Sequence, residues 1–303
     1  MSFFKLLEKY FVPLFILAII SGILFPQFGV FSPATSFMFA AAIFLASLKV
    51  DFNLFFAHIR DFPYVAKKFL LIKIFAPLAV FFITFPFFPE FALGGLLIVA
   101  LPSGMTNIIY SDIFKGNNAL TLLFTVSTHL LSPITIPFLI LLSSSQAIYI
   151  DYTSLFFSLV GIVLLPVIIA YLVKRKFSKN IEKISDKISG ANILITAVIV
   201  LVIIATNAGK FGEWKAFALP LVYAFAIFLA TTLFGLFLAR RESRENKIAV
   251  SLSAFHPNTI LGLFLASTYF PIAVVSISIA AELINNLYTA FYMILINKYL
   301  PIK

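Results

Sequence analysis

Two short stretches decide the reading of this chain: Leu101-Pro102-Ser103-Gly104-Met105-Thr106-Asn107 and Phe255-His256-Pro257-Asn258-Thr259. Each interrupts a long apolar run near its middle and clusters small and amide side chains around a proline. Proline has no backbone donor and its ring collides with the preceding turn, so each break releases carbonyls and amides that lipid cannot satisfy. Such groups persist where they line a cavity or bind an ion.

Outward from the breaks the chain is apolar. Its 303 residues are 62% hydrophobic and 11% charged, with a mean hydropathy of +1.08, outside the range of soluble domains. A spanning helix needs roughly 20 apolar residues. Apolar runs between charge and turn clusters predict ten spans, at 10–25, 34–50, 68–88, 91–114, 118–143, 152–173, 191–208, 216–239, 247–269 and 272–296. The breaks fall in spans four and nine, equivalent places in two five-helix halves, 1–150 and 151–303. Five is odd, so the halves are inverted. The expected fold is an all-α integral membrane protein of ten transmembrane helices in two inverted repeats, with broken helices four and nine crossing at a site near the bilayer midplane. Pro77, Pro133, Pro137, Pro166 and Pro220 also fall in spans and read as ordinary kinks, because no cluster of small and amide residues surrounds them.

The formal charge of +10 is topological. Nineteen of the 22 Lys and Arg fall in loops on one side, Lys210 and Lys215 on the other, and Lys73 inside a span. By the positive-inside rule both termini face the cytoplasm across a cell membrane, and nucleic acid is not the partner. Without cysteine there is no disulfide, thiolate metal site or thiol nucleophile. Lys5 and Lys9 precede an apolar run with no small-residue cleavage pattern, which reads as an uncleaved first helix. Between spans six and seven, Phe177, Ile181, Ile184 and Ile188 recur at helical spacing among lysines. That stretch reads as an amphipathic helix on the inner leaflet or as a solvated connector.

Polar groups deep in the spans are costly and mark candidate sites. Glu282, Asn285 and Asn286 make a polar stripe on helix ten, either a substrate-facing surface or an interhelical clamp around a protonated Glu282. Lys73 lies about one and a half turns beyond Lys68, where it either snorkels to the surface or holds a positive charge inside the bundle. His129 reads as a packing residue or a proton relay, and His256 stands in the break itself. No H-E-x-x-H, G-x-S-x-G or phosphate-loop pattern accompanies them, so an intramembrane enzyme is a remote alternative. A receptor that binds without moving its ligand is the other. The main reading is a carrier of small anions working by alternating access, with half-helix N-termini turned to the anion.

The chain resembles the bile acid:sodium symporter family. The likeness is carried by Leu101-Pro102-Ser103-Gly104, Lys115-Gly116-Asn117, Ala119-Leu120-Thr121, Ser132-Pro133, Gly22-Ile23-Leu24-Phe25-Pro26 and the apolar span leading into Asp51. The resemblance implies a core of helices three to five and eight to ten, a panel of helices one, two, six and seven, and organic-anion transport coupled to two sodium ions. The residue reading and the resemblance together give candidate substrate and ion contacts at Pro102, Ser103, Gly104, Thr106, Asn107, Thr121, Thr125, His256, Pro257, Asn258, Thr259, Glu282, Asn285 and Asn286. Asn107, Thr121 and Thr125 leave room for one sodium ion; no other cofactor is implied. The family's shared glutamate falls on Leu252 or Ser253, and its helix-three glutamine on Ile72, beside Lys73. Sodium coupling is therefore not carried over whole. A sodium-independent or proton-coupled exporter of organic acids or oxyanions is the alternative.

Overall fold

A computed structural model describes residues 7, 10–143, 150–210 and 215–300. The chain is 88% helix, with no strand among the described residues. Five helical stretches are long and apolar enough to cross a bilayer: Pro26–Leu48, Asn118–Ser143, Tyr152–Lys183, Ser185–Asn207 and Phe217–Leu238. A sixth, Ile272–Asn285 with Leu287–Tyr299, is bent by 49°. Pro89–Ala100 and Thr259–Tyr269 are shorter because each is one half of an interrupted run.

In chain order, α1 (Phe11–Leu24) passes through a 3-10 segment, Pro26–Ala34, into α2 (Thr35–Leu48). The short α3 (Phe52–Ala57) is capped by the Asp51 carboxylate, which accepts from Leu54 N. The third run begins at Phe62 rather than residue 68, with Pro63 in the first turn, where its missing N–H is no loss. It comprises α4 (Phe62–Phe69), a π segment over Leu70–Phe75 and α5 (Ala76–Thr84). A second π segment, Val160–Leu164, joins α9 (Tyr152–Leu159) to α10 (Leu165–Lys183). Each π segment ends just before a proline, Pro77 or Pro166, and the wider turn relieves the ring's clash with the carbonyl four residues earlier.

The fourth run is α6 (Pro89–Ala100) and α7 (Asn107–Ile113). The fifth, α8 (Asn118–Ser143), is unbroken despite Pro133 and Pro137. Pro133 frees the His129 carbonyl, and Ser132 Oγ donates to that carbonyl at 2.9 Å. The amphipathic stretch is helical: α10 kinks at Phe177, and α11 (Ser185–Asn207) starts six residues ahead of the expected span. Ile181 and Ile188 are buried with Leu48 and Ala170, while Phe177 and Ile184 are exposed. Finally come α12 (Lys215–Leu238), α13 (Arg244–Phe255), α14 (Thr259–Tyr269) and α15 (Ile272–Tyr299).

Two packed groups emerge. In one, α11 lies against α1, the 3-10 segment and α2, and α10 lies against α2. In the other, α6 packs on α5, α8 and α15, α12 on α13 and α15, and α14 on α15. Phe39 of α2 stacks on Phe264 of α14 at 5.5 Å, joining the groups. At one end of the second group, Lys68 pairs with Glu242 at 2.9 Å, and Tyr64 donates to the same carboxylate. Burial, then the Glu242 hydrogen bond and charge, hold the Tyr64 phenol protonated well above its ordinary 10.0.

Candidate functional site

The two breaks meet. Ser103 and Pro257 form an isolated antiparallel bridge, in which Gly104 N donates to His256 O and Asn258 N donates to Pro102 O, each at 2.8 Å. The backbone groups that the prolines release are thus partly satisfied by each other. The remainder find side chains. Pro257 leaves the Ser253 carbonyl without its helical donor, and Ser103 Oγ supplies one at 3.1 Å. Ser103 N cannot continue α6 and donates instead to Thr128 Oγ1 at 3.0 Å. Asn107 Nδ2 donates to Leu252 O at 3.3 Å and His256 O at 3.1 Å. At the end of α6, Lys73 Nζ donates to Leu101 O at 2.7 Å and Val99 O at 3.3 Å.

Lys73 is 2% exposed. Its side chain turns inward to the break, and the snorkelling reading is not what the structure shows.

Gly104 is required by closeness rather than by backbone angle, because no glycine among the described residues has a positive φ. A Cβ there would lie 2.7 Å from His256 Nδ1 and 3.2 Å from Asn107 Oδ1. The imidazole is wedged against it, with the Tyr110 ring edge-on at 4.9 Å.

Beside the crossing lies a cavity of about 180 Å³. Gly104, Met105, Thr106, Tyr110, His256, Pro257, Asn258, Thr259, Ile260, Glu282 and Asn285 form one wall, and Phe15, Phe39, Ala42, Ile43, Ala46, Asn192, Ile193 and Thr196 the other. The first wall belongs to the group holding the breaks, the second to α1, α2 and α11. In the first, Thr259 Oγ1 donates to Glu282 Oε2 at 2.5 Å and accepts from Asn285 Nδ2 at 3.3 Å. Four buried atoms of the residues lining this space lack a hydrogen-bond partner: His256 Nδ1 and Nε2, Asn192 Oδ1 and Asn285 Oδ1. Buried polar atoms are seldom left so. Among the described residues, no lysine or arginine lines the cavity.

Of the residues singled out in the sequence, Pro102, Ser103, Gly104, Asn107, His256, Pro257 and Asn258 come together at the crossing. Gly104, Thr106, His256, Pro257, Asn258, Thr259, Glu282 and Asn285 share the cavity wall. The Asn286 side chain lies outside the described residues. Thr121 and Thr125 stand one turn apart on α8, buried, and bond elsewhere: Thr121 Oγ1 donates to Asn117 O and Ser111 Oγ, and Thr125 Oγ1 to Thr121 O. Asn107 Oδ1 is buried without a partner. No carboxylate joins these oxygens, since Leu252 is fully buried where the resemblance puts one, and no cluster of three acidic or histidine ligands exists among the described residues. His129 bonds Thr125 O at 2.8 Å within its own helix, with Nε2 unpaired.

Sequence reading missed Thr128, Ser111, Tyr110, Asn192 and Thr196. Thr128 and Ser111 are common hydroxyl residues whose role exists only once helices meet. Asn192 is the one with a signal, an amide in an otherwise apolar run.

Comparison with known proteins agrees with this geometry. The chain is 25% identical to the protein YbaS of Bacillus subtilis (strain 168) over 296 residues, covering 93% of this chain and 95% of that one. It is 30% identical to the sodium-dependent transporter YocS of the same organism over 118 residues, 39% of this chain and 37% of that one. Against the "Probable sodium/metabolite cotransporter BASS1, chloroplastic" of Arabidopsis thaliana it is 27% identical over 207 residues, 64% and 49% of the two. The sequence pattern of the sodium bile acid symporter family matches residues 36–214, more than half of the chain, including the first break and the α8 threonines. With a helical, apolar fold whose interrupted runs meet beside a polar cavity, the chain belongs to the sodium bile acid symporter family, whose members are membrane transporters and not enzymes.

Proposed function

We propose that this protein carries small organic anions across the cell membrane by alternating access, with the cavity beside the crossed breaks as its substrate site. The observation that carries the reading is the cavity's composition. It holds the start of the eleven-residue α14, whose dipole favours an anion, and its lining residues include His256 and two asparagines whose buried nitrogens and oxygens have no partner of their own. The seven-residue α7 adds little dipole. Apolar Phe15, Phe39 and Ile43 opposite suit an organic body.

The ten runs then form inverted halves, 1–150 and 151–303. The core comprises spans three to five and eight to ten, and the panel spans one, two, six and seven. Antiparallel pairing at Ser103 and Pro257 supports this, because inverted halves present their breaks to each other antiparallel. The cavity would be the seam along which panel and core move. The nineteen-to-two division of cations supports cytoplasmic termini.

The names of YocS and BASS1 include sodium. Here Asn107, Thr121 and Thr125 offer amide and hydroxyl oxygens without a carboxylate, so sodium coupling involves at most one weakly held ion. A second reading is favoured by one observation. Glu282 stands in the cavity wall, bound to Thr259, and an anion sharing that space requires the carboxyl group to be protonated. The transported acid would then be accompanied by a proton.

Purified protein in proteoliposomes, offered labelled mono- and dicarboxylates and sulfate under imposed sodium, potassium or proton gradients, tests both. Saturable uptake of at least one acid is expected, stimulated more by a proton than by a sodium gradient. No uptake of any anion would overturn the substrate reading. Strong stimulation with two-sodium cooperativity would overturn the coupling. Labelling from outside intact cells of a cysteine added after Lys303 would overturn the topology.

A further inference from the structure

Among the buried groups, one charge has no anion beside it. Lys73 lies inside the bundle at 2% exposure, and among the described residues no carboxylate comes within ion-pair distance of it. Its ammonium is instead held by Leu101 O at 2.7 Å and Val99 O at 3.3 Å. These carbonyls close α6, a twelve-residue helix whose last acceptors have no helical donors and whose dipole ends negative at that point.

The equivalent end of α13 needs no charge. There Leu252 O and His256 O accept from the Asn107 amide and Ser253 O from the Ser103 hydroxyl. Hydrogen bonding alone therefore does not require an ammonium at a broken span, and the desolvation of a buried charge is expensive. A cation on bare carbonyl oxygens at a helix end is what an alkali-metal ion would also provide.

We propose that Lys73 is the transporter's own cation at the crossing: its tethered ammonium occupies the carbonyl cluster at the end of α6, a place that a transported cation would otherwise fill. The proposal rests on the reading of this chain as an alternating-access carrier with its site beside the crossed breaks. A mobile ion binds and leaves in each cycle, whereas Lys73 is fixed by the helix that carries it. The first break is complete in every state, and one of the cation-binding steps is removed from the cycle.

The test needs no substrate, so it stands apart from the identity of the transported acid. Full-length protein in detergent is melted in sodium chloride and in choline chloride, as wild type, Lys73→Met and Lys73→Arg. The wild-type midpoint should move by less than about 1 °C between the salts. Lys73→Met should melt lower in choline and regain about 2–4 °C in sodium chloride, the shift expected when a ligand binds only the folded state of a chain this size. Lys73→Arg should keep the wild-type indifference. A Lys73→Met protein as indifferent to sodium as wild type would overturn the proposal. If Lys73→Met yields no folded protein, binding of radioactive sodium ion to wild type decides. A stoichiometry of one or less supports the built-in cation; two cooperative ions overturn it.

Discussion

At the first break the freed carbonyls of Val99 and Leu101 receive an ammonium; at the second, the freed Ser253 carbonyl receives a hydroxyl, and those of Leu252 and His256, already paired with His256 N and Gly104 N, receive an amide as well. The backbone pairing is the same on both sides, Gly104 N on His256 O and Asn258 N on Pro102 O. Two interrupted helices that share a geometry have been finished with different chemistry, one charged and one neutral. The difference teaches that satisfying a broken span and placing a charge in it are separable tasks. Asn107 does only the first, and Lys73 does both.

The largest effect should come from disabling the neutral side. Asn107→Leu removes two buried hydrogen bonds, each contributing about 1–1.5 kcal/mol, so stability should fall by about 2–3 kcal/mol on a detergent melt. An unchanged melting curve would mean that the second break does not rely on the amide. Next is the contact that lets the breaks approach. Gly104→Ala puts a Cβ 2.7 Å from His256 Nδ1, overpacking that costs about 1–2 kcal/mol, and His256→Ala in the same protein should recover most of it. No recovery would show that the glycine serves something other than the imidazole.

Smaller again is the unbroken control, α8. Ser132→Ala should cost about 1 kcal/mol by leaving the His129 carbonyl bare, and Ser132→Ala with Pro133→Ala should cost less than the single change, because the alanine restores a backbone donor. If the two costs simply add, the hydroxyl is not serving the carbonyl that the proline frees. The least effect belongs to Tyr64→Phe, far from both breaks. It removes a hydrogen bond to Glu242 that Lys68 still holds, and should shift stability by under about 1 kcal/mol. Because the folded-state pKa of Tyr64 is raised above 10.0, its contribution should be flat from pH 6 to 9 on the same melts and fall only in strong alkali.

Much of this was legible in the sequence, for identifiable reasons. Apolar length marks helices whatever their partners, so α8 begins where the run does. Proline with small and amide neighbours marks a break, because the backbone consequence is local. The Glu282 and Asn285 stripe could be read because three residues on a helix share a face, and both line the cavity with Thr259. The far wall could not be read: Phe15, Phe39 and Ile193 look like any lipid-facing residues until α11 lies beside α1 and α2. Helix seven was expected to begin at 191, because lysines at 179, 183 and 187 suggested a surface stretch. In the structure Ile181 and Ile188, on either side of the joint between α10 and α11, are buried with Leu48 and Ala170. Of the two readings of Lys73, surface or bundle, the helical count could not choose. Counting from Lys68 at 3.6 residues per turn assumes an α-helix throughout, and Leu70–Phe75 is not one.

That π segment sets how the buried charge could be gained or lost over time. A π turn is an α-helix carrying one extra residue, so deleting a single residue between Leu70 and Phe75 would restore α-helical spacing, leave α4 and α5 facing as they do, and re-aim the side chains within the segment. Position 73 would no longer be aimed at the end of α6, although every residue type in the helix was kept. The ammonium's address is thus a property of residue count as well as of residue identity. A chain differing by one insertion or deletion in this helix could keep a lysine in the alignment and still have no cation at its crossing.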